Sequence, residues 1–132
     1  MDNRELLNKA LDVIKYSYSP YSHFPLGVAL LTKSGKVYTG TNIENASYGL
    51  TICAERVAMF KAISEGERSF SKIVIVDKDG RGVPPCGACR QVMVEFSPDM
   101  EILLYSPEKD SFEIFKASEM LPISFSLEVK DE

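Results

Sequence analysis

The chain has 132 residues, 45% of them hydrophobic, enough to bury one core, so a single domain over residues 1–132 is expected. Fifteen basic and nineteen acidic side chains are interspersed and leave a formal charge of −4, without the basic stripe of a polynucleotide binder. Three cysteines are an odd count that cannot close into intramolecular disulfides, which suits metal or redox chemistry in the cytoplasm better than an extracellular framework.

Leu6, Leu7, Ala10, Leu11 and Ile14 recur at helical spacing and predict an amphipathic helix over about residues 3–16. Charges at Asp2, Arg4, Glu5, Lys9, Asp12 and Lys15 break up its apolar positions. This makes it neither a signal peptide nor a membrane span, and no other segment is apolar enough to cross a bilayer. Ser17 to Pro25 holds two prolines and three serines and reads as irregular. Val28–Leu31 and Lys36–Tyr38 flank Ser34-Gly35 as the arms of a β-hairpin. Thr41 to Leu50, rich in Asn, Ser and Gly, reads as a loop. From Cys53, the apolar residues Val57, Met59, Phe60 and Ile63 keep helical spacing until Gly66. Ile73–Val76 is an all-apolar run expected of a strand buried on both faces. Cys86 leads into a helix over Cys89–Phe96, closed by Ser97-Pro98. Ile102–Tyr105 reads as another buried strand, Phe112–Phe115 as an edge strand, and Ser118–Leu121 as a short helical turn. Strands alternating with helices after residue 53 imply an α/β architecture, with an antiparallel hairpin feeding a parallel portion.

The chemistry is concentrated in two short motifs, Cys53-Ala54-Glu55-Arg56 and Pro85-Cys86-Gly87-Ala88-Cys89. A Cys-x-x-Cys pair and one distant cysteine supply three ligands and leave the fourth tetrahedral position of a zinc ion open, as at a catalytic site. Zinc deaminases of nucleobases are described by such a ligand set with a nearby glutamate. Two positions along a helix is a rotation of about 200°, so Glu55 shares a site with Cys53 only if Cys53 stands at the helix start. Two helix N-termini would then converge on the metal, their partial positive charge offsetting thiolate charge. Glu55 becomes the proton shuttle. Arg56 is the candidate for tempering thiolate charge, with Arg90 second. His23, the only histidine, reads as a surface or packing residue. Asn42-Ile43-Glu44-Asn45 is either a turn that caps its own backbone or a carboxylate and two amides offered to a sugar hydroxyl.

Tyr21-Ser22-His23-Phe24-Pro25-Leu26-Gly27, Asn42-Ile43-Glu44-Asn45-Ala46, Cys53-Ala54-Glu55-Arg56, Pro85 through Val92, and Leu121-Pro122 with Phe125 together resemble the cytidine deaminases of the short-chain, homotetrameric, zinc-dependent type. The resemblance spans about residues 16–125. It implies a three-layer α/β sandwich around a mixed five-stranded sheet, and one Zn²⁺ per subunit on Cys53, Cys86 and Cys89. By the same resemblance Glu55 is the proton donor and acceptor, and Arg56 moderates thiolate charge. Asn42 and Glu44 match residues that hydrogen-bond the ribose 3′-hydroxyl. Ala54 supplies backbone contacts to the pyrimidine, Phe24 packs against the base, and Ala46 belongs to the substrate loop. Tyr48 and Phe125 complete the pocket across subunit boundaries. Ser47, Gly49 and Thr51 depart from the family's familiar Cys, Pro and Gly in that loop, away from the catalytic positions.

The reading that follows is hydrolytic deamination of cytidine and 2′-deoxycytidine to the uridines, a pyrimidine-salvage reaction that releases ammonia after zinc-bound hydroxide attacks C4. The expected partners are a free nucleoside and other copies of the chain in a homotetramer, with no nucleic acid and no membrane. A deaminase of a modified cytosine nucleoside antibiotic and a non-catalytic zinc protein of the same fold are the alternatives.

Overall fold

The computed structural model describes residues 1–127. Asp2 starts helix α1 (Asn3–Val13) by accepting the Glu5 N–H at 2.8 Å, and the helix tightens into a 3₁₀ turn at Ile14–Tyr16. The single helix expected to residue 16 is therefore an α-helix with a 3₁₀ end. Strands β1 (Leu26–Thr32) and β2 (Val37–Thr41) form the expected hairpin, with Gly35 at φ 93° in its turn. Helix α2 (Ala54–Ser64) follows, then β3 (Phe70–Asp77), α3 (Gly87–Phe96), β4 (Glu101–Ser106), β5 (Ser111–Lys116) and the single-turn α4 (Ala117–Met120).

The sheet order is β2-β1-β3-β4-β5. Only β3 and β4 run parallel, which makes the sheet mixed and limits the expected parallel portion to one pair. α3 supplies the crossover between them. β5 lies at an edge, as expected.

Alternating side chains send the two faces of the sheet into separate cores. Ala29, Val74, Val76 and Leu103 pack under α1 with Leu6, Leu7 and Ala10. Val28, Leu30, Ile73, Ile75 and Ile102 face the opposite way, against α2 and α3, with Ala58, Met59, Cys89 and Met93. This is the expected three-layer sandwich. β4 departs from its reading as a fully buried strand: Ile102 and Leu103 are buried, but Leu104 and Tyr105 are half-buried. At its far end Tyr105 packs on Phe112 at 5.1 Å and under the guanidinium of Arg4 in α1.

Two glycines allow the helices to lie close to the sheet. A Cβ on Gly27 would stand 2.0 Å from the Ala10 carbonyl oxygen of α1. On Gly40 it would stand 2.4 Å from the Ala54 oxygen and 2.7 Å from the Ala58 nitrogen of α2. The buried side of α2 is accordingly built on Ala54, Ala58 and Ala62 with Met59, while Phe60 faces outward and Val57 and Ile63 are only half-buried. The larger apolar residues that mark this helix in the sequence are therefore not the main part of its contact face. Among the described residues, no helix is long and apolar enough to cross a membrane.

Candidate metal centre

Cys53 is the N-cap of α2 and Cys86 the N-cap of α3; both have extended backbone, and neither side chain caps a backbone N–H of its helix. N-cap positions are usually filled by Ser, Thr, Asp or Asn, whose oxygens turn back onto the first helical N–H groups. A thiol is a weak acceptor and remains free to point away from the helix end. Cys89 lies in the first turn of α3 and is fully buried. The result is two helix N-termini presenting three sulfurs to one point, all within 4.8 Å of one another.

Their spacing matches a metal. Cys53 and Cys86 Sγ are 3.6 Å apart, and Cys86 and Cys89 Sγ 3.5 Å. A tetrahedral zinc with Zn–S bonds of about 2.3 Å holds its sulfurs about 3.8 Å apart. One thiol of the cluster is predisposed to ionise: a hydrogen bond with Cys89 and the Arg56 guanidinium pull the Cys53 thiol down to about 5, against the opposing effect of burial. Cys89, sharing that hydrogen bond from the other side and buried, is pushed up. Metal binding takes the remaining thiol protons.

Glu55 is only 3% exposed, and its Oε1 has no hydrogen-bond partner. Burial, reinforced by charge on Cys53, raises its carboxyl to about 7, while contact with Cys89 opposes the rise. A buried carboxyl oxygen without a partner beside three converging thiols is the arrangement expected where a ligand and a metal-bound solvent complete the site. Arg56 Nη2 donates to Cys53 Sγ at 3.5 Å, the contact expected of a residue that tempers thiolate charge. Arg90, the second candidate for that role, makes its hydrogen bonds to backbone oxygen. Its guanidinium donates to the Pro85 and Met120 carbonyls at 2.8 and 2.9 Å.

The Asn42–Asn45 loop reaches the metal centre through a two-way backbone pairing. Ile43 and Ile52 exchange N–H···O bonds of 3.0 Å, one residue short of Cys53. Asn42 is nearly buried: its Oδ1 accepts from Leu26 N–H and the Ser17 hydroxyl, and its Nδ2 donates to the Phe24 carbonyl. One amide N–H is left over. Glu44 Oε1 accepts the Tyr21 and Ser22 N–H groups, and Oε2 accepts the Ser22 hydroxyl. The Ser22 hydroxyl leads in holding this carboxyl below its usual range, with the two N–H groups adding to it against partial burial. Of about four lone-pair positions on an ionised carboxylate, one is free. Asn45 accepts the Ser47 N–H in a local turn, while Asn42 and Glu44 brace distant backbone and keep one donor and one acceptor.

A cavity of about 370 Å³ is lined by Tyr21, Ser22, Glu44, Tyr48 and Thr51, within the range of small-molecule sites. The three sulfurs are not among its walls; the loop that lines the cavity is tied to the segment leading to Cys53 by the Ile43–Ile52 pairing. Tyr21 and Tyr48 meet edge-on at 6.3 Å. Phe24 is half exposed, Tyr48 is 76% exposed and Phe125 71% exposed, so none of these aromatics is a core residue of the chain. Ala46 is exposed in the same loop, and Ala54 is buried against Gly40 as the first residue of α2, where the N–H has no partner within its helix. His23 occupies a turn at φ 57° and stands apart from the sulfur cluster. Ser22 and Thr51 received no site role from the sequence. Thr51 Oγ1 accepts the Asn45 N–H at 3.1 Å and walls the cavity. Its one visible signal was the departure from glycine at that position.

Residues 1–105 match the family model described as the cytidine and deoxycytidylate deaminase zinc-binding region. A cytidine deaminase of Halalkalibacterium halodurans is 51% identical over 129 residues, covering 97% of this chain and 97% of the relative. A probable cytidine deaminase of Dictyostelium discoideum is 49% identical over 131 residues, covering 96% and 88% respectively. Among solved structures, the cytidine deaminase of Burkholderia pseudomallei superposes with a TM-score of 0.87 at 42% identity, covering 95% of this chain and all of that one.

Proposed function

The chain belongs to the cytidine and deoxycytidylate deaminase family, and from that membership we propose that it hydrolyses cytidine and 2′-deoxycytidine to uridine and 2′-deoxyuridine, releasing ammonia. The observation that carries the reading is Glu55: a buried carboxyl, raised to about 7, with an unpartnered oxygen beside three sulfurs spaced for zinc.

Cys53, Cys86 and Cys89 would hold one zinc per chain, and the ion when bound would supply Lewis-acid activation of water near neutral pH. Glu55 accepts the proton of the attacking water and passes it to N3 of the pyrimidine. A later transfer from the same carboxyl to the exocyclic nitrogen lets ammonia leave. Such back-and-forth transfer favours a group whose pKa lies near the working pH. Arg56 holds the Cys53 sulfur and limits the negative charge around the metal. Asn42 and Glu44 offer their remaining N–H and lone pair to the ribose 3′-hydroxyl. A carboxylate there repels a 3′-phosphate, so the substrate is a free nucleoside and not a nucleotide within a strand. The Ala54 backbone and Phe24 meet the base, and Ala46 lies beside it.

Tyr48 and Phe125 act in a homotetramer, each covering the pocket of a neighbouring chain. Their exposure supports this, as does that of Leu50 and Phe60. Three reduced cysteines support residence in the cytoplasm, and the two cores sharing one sheet support a single domain.

Purified protein mixed with cytidine should lose the cytosine ultraviolet absorbance, and should leave cytidine 3′-monophosphate and a cytosine-containing oligonucleotide unchanged. Turnover of the oligonucleotide, or none of cytidine by zinc-loaded protein, would refute the assignment.

A further inference from the structure

Arg90 and Gln91 follow directly after the metal ligand Cys89, and each reaches back to a different piece of chain. Arg90 Nε donates 2.8 Å to the carbonyl of Pro85, the buried residue before the ligand Cys86. Its Nη1 donates 2.9 Å to the carbonyl of Met120 at the end of α4. Gln91 Nε2 donates 2.9 Å to the carbonyl of Phe125. One guanidinium therefore closes the turn from Pro85 to Cys89 around the metal, and with Gln91 it fastens the segment from Met120 to Phe125 onto α3.

We propose that Arg90 is a positioning residue that couples the geometry of the Cys86–Cys89 metal turn to the placement of the C-terminal segment bearing Phe125. The coupling depends on the fork of the side chain: two donors fixed in one plane span two carbonyls from segments about thirty-five residues apart. A lysine carries the same charge on a single nitrogen and cannot reproduce that span. These two bonds take two of the five guanidinium N–H donors, and both end on backbone oxygen rather than on sulfur. For the metal, Arg90 is an outer partner that orients a ligand turn, a kind of residue whose loss usually costs about 10–100-fold in metal affinity or activity. For the substrate, it fixes where Phe125 stands. The catalytic consequence rests on the deaminase reading; the structural coupling does not.

The test compares Arg90→Lys and Gln91→Ala with the wild type, all zinc-loaded and confirmed folded by circular dichroism. Three quantities are followed: zinc release to a chromogenic chelator, amide hydrogen exchange over residues 117–125, and cytidine kinetics across pH. Arg90→Lys should release zinc about 10–100-fold faster, exchange faster in that segment, and raise KM more than it lowers kcat, with the pH–rate profile unmoved. Gln91→Ala, which leaves the Pro85 bond intact, should speed exchange and raise KM while releasing zinc at the wild-type rate. Zinc release and exchange need no substrate, so failure to turn over cytidine would count against the deaminase reading alone. Wild-type behaviour of folded Arg90→Lys in those two measurements would overturn the coupling. So would faster zinc release without any change in exchange.

Discussion

In the proposed reaction, Glu55 is useful for the same reason that it is costly to the fold. Burial removes water from its carboxyl, raises it to about 7 and leaves Oε1 without a partner. Glu55→Gln keeps the shape and removes the ionisable group, so the variant should bind zinc and fold. Its metal-free melting temperature should be no lower than that of the wild type, since no charge at this position remains to be desolvated. Turnover should fall at or beyond the upper end of the roughly 10²–10⁴-fold that general acid–base catalysis is worth, because one group serves several transfers. Metal analysis, calorimetry and the ultraviolet assay check the three parts, and near-normal turnover would mean that another residue moves the protons. The clustering of the three cysteines was legible because the spacing within each motif is local and both motifs open helices; that the two helix starts meet comes from the sheet face that α2 and α3 share. Asn42 and Glu44 were only half legible. Their partners, Ser17, Leu26, Tyr21 and Ser22, lie 16 to 25 residues away, and no spacing rule shows that most of their hydrogen-bonding capacity is taken up within the chain.

At the level of elements, the order of helices and strands follows from periodicity and breakers, but how closely they approach does not. Alanines at positions 54, 58 and 62 of α2 lie four residues apart and bury the helix at short range, and Gly40 opens the sheet beneath them. Apolar size in the sequence points instead to Phe60, which the fold leaves half exposed. The contact is set by what is missing from side chains, a weaker signal than what is present. Gly27 and Gly40 offer a paired test, because each lies under a different helix. Adding a methyl group to either forces backbone to move, and overpacking of this kind costs about 1–3 kcal/mol. Gly27→Ala displaces α1, which carries no site residue, so the melting temperature should fall while kcat per folded, zinc-loaded chain stays close to wild type. Gly40→Ala pushes directly on the turn of α2 that holds Ala54 and Glu55. It should lower both stability and kcat. Equal kcat values in the two variants, each normalised to bound zinc, would show that α2 tolerates displacement and that its position does not tune the site.

Considered whole, the chain gathers three cysteine sulfurs at one point and leaves several large apolar side chains exposed. The cavity beside Glu44 is open, and Tyr48, Leu50 and Phe125 are each about 70% exposed or more. Aromatic residues in a sequence are ordinarily read as core, and periodicity cannot separate a residue that fills its own core from one that fills a neighbour's pocket. That distinction emerges only once the two cores are seen to close without them. A nucleoside site usually buries most of its ligand, which a chain of this size can achieve by lending its exposed aromatics to other copies. Phe125→Ala should then raise KM or lower turnover in a protein whose own zinc and Glu55 are untouched. Subunit mixing separates lending from a local effect. Glu55→Gln chains keep Phe125 but cannot move protons; Phe125→Ala chains keep Glu55 but leave a neighbour's pocket uncovered. After exchange between the two inactive or weakened parents, some hybrid sites combine an intact Glu55 with an intact Phe125 from the next chain. Activity of the mixture should exceed that of both parents, and should fall again when the assembly is diluted to monomers. If exchange is verified by mass spectrometry and activity stays at the average of the parents, or if a monomer is fully active, each chain must build its pocket alone.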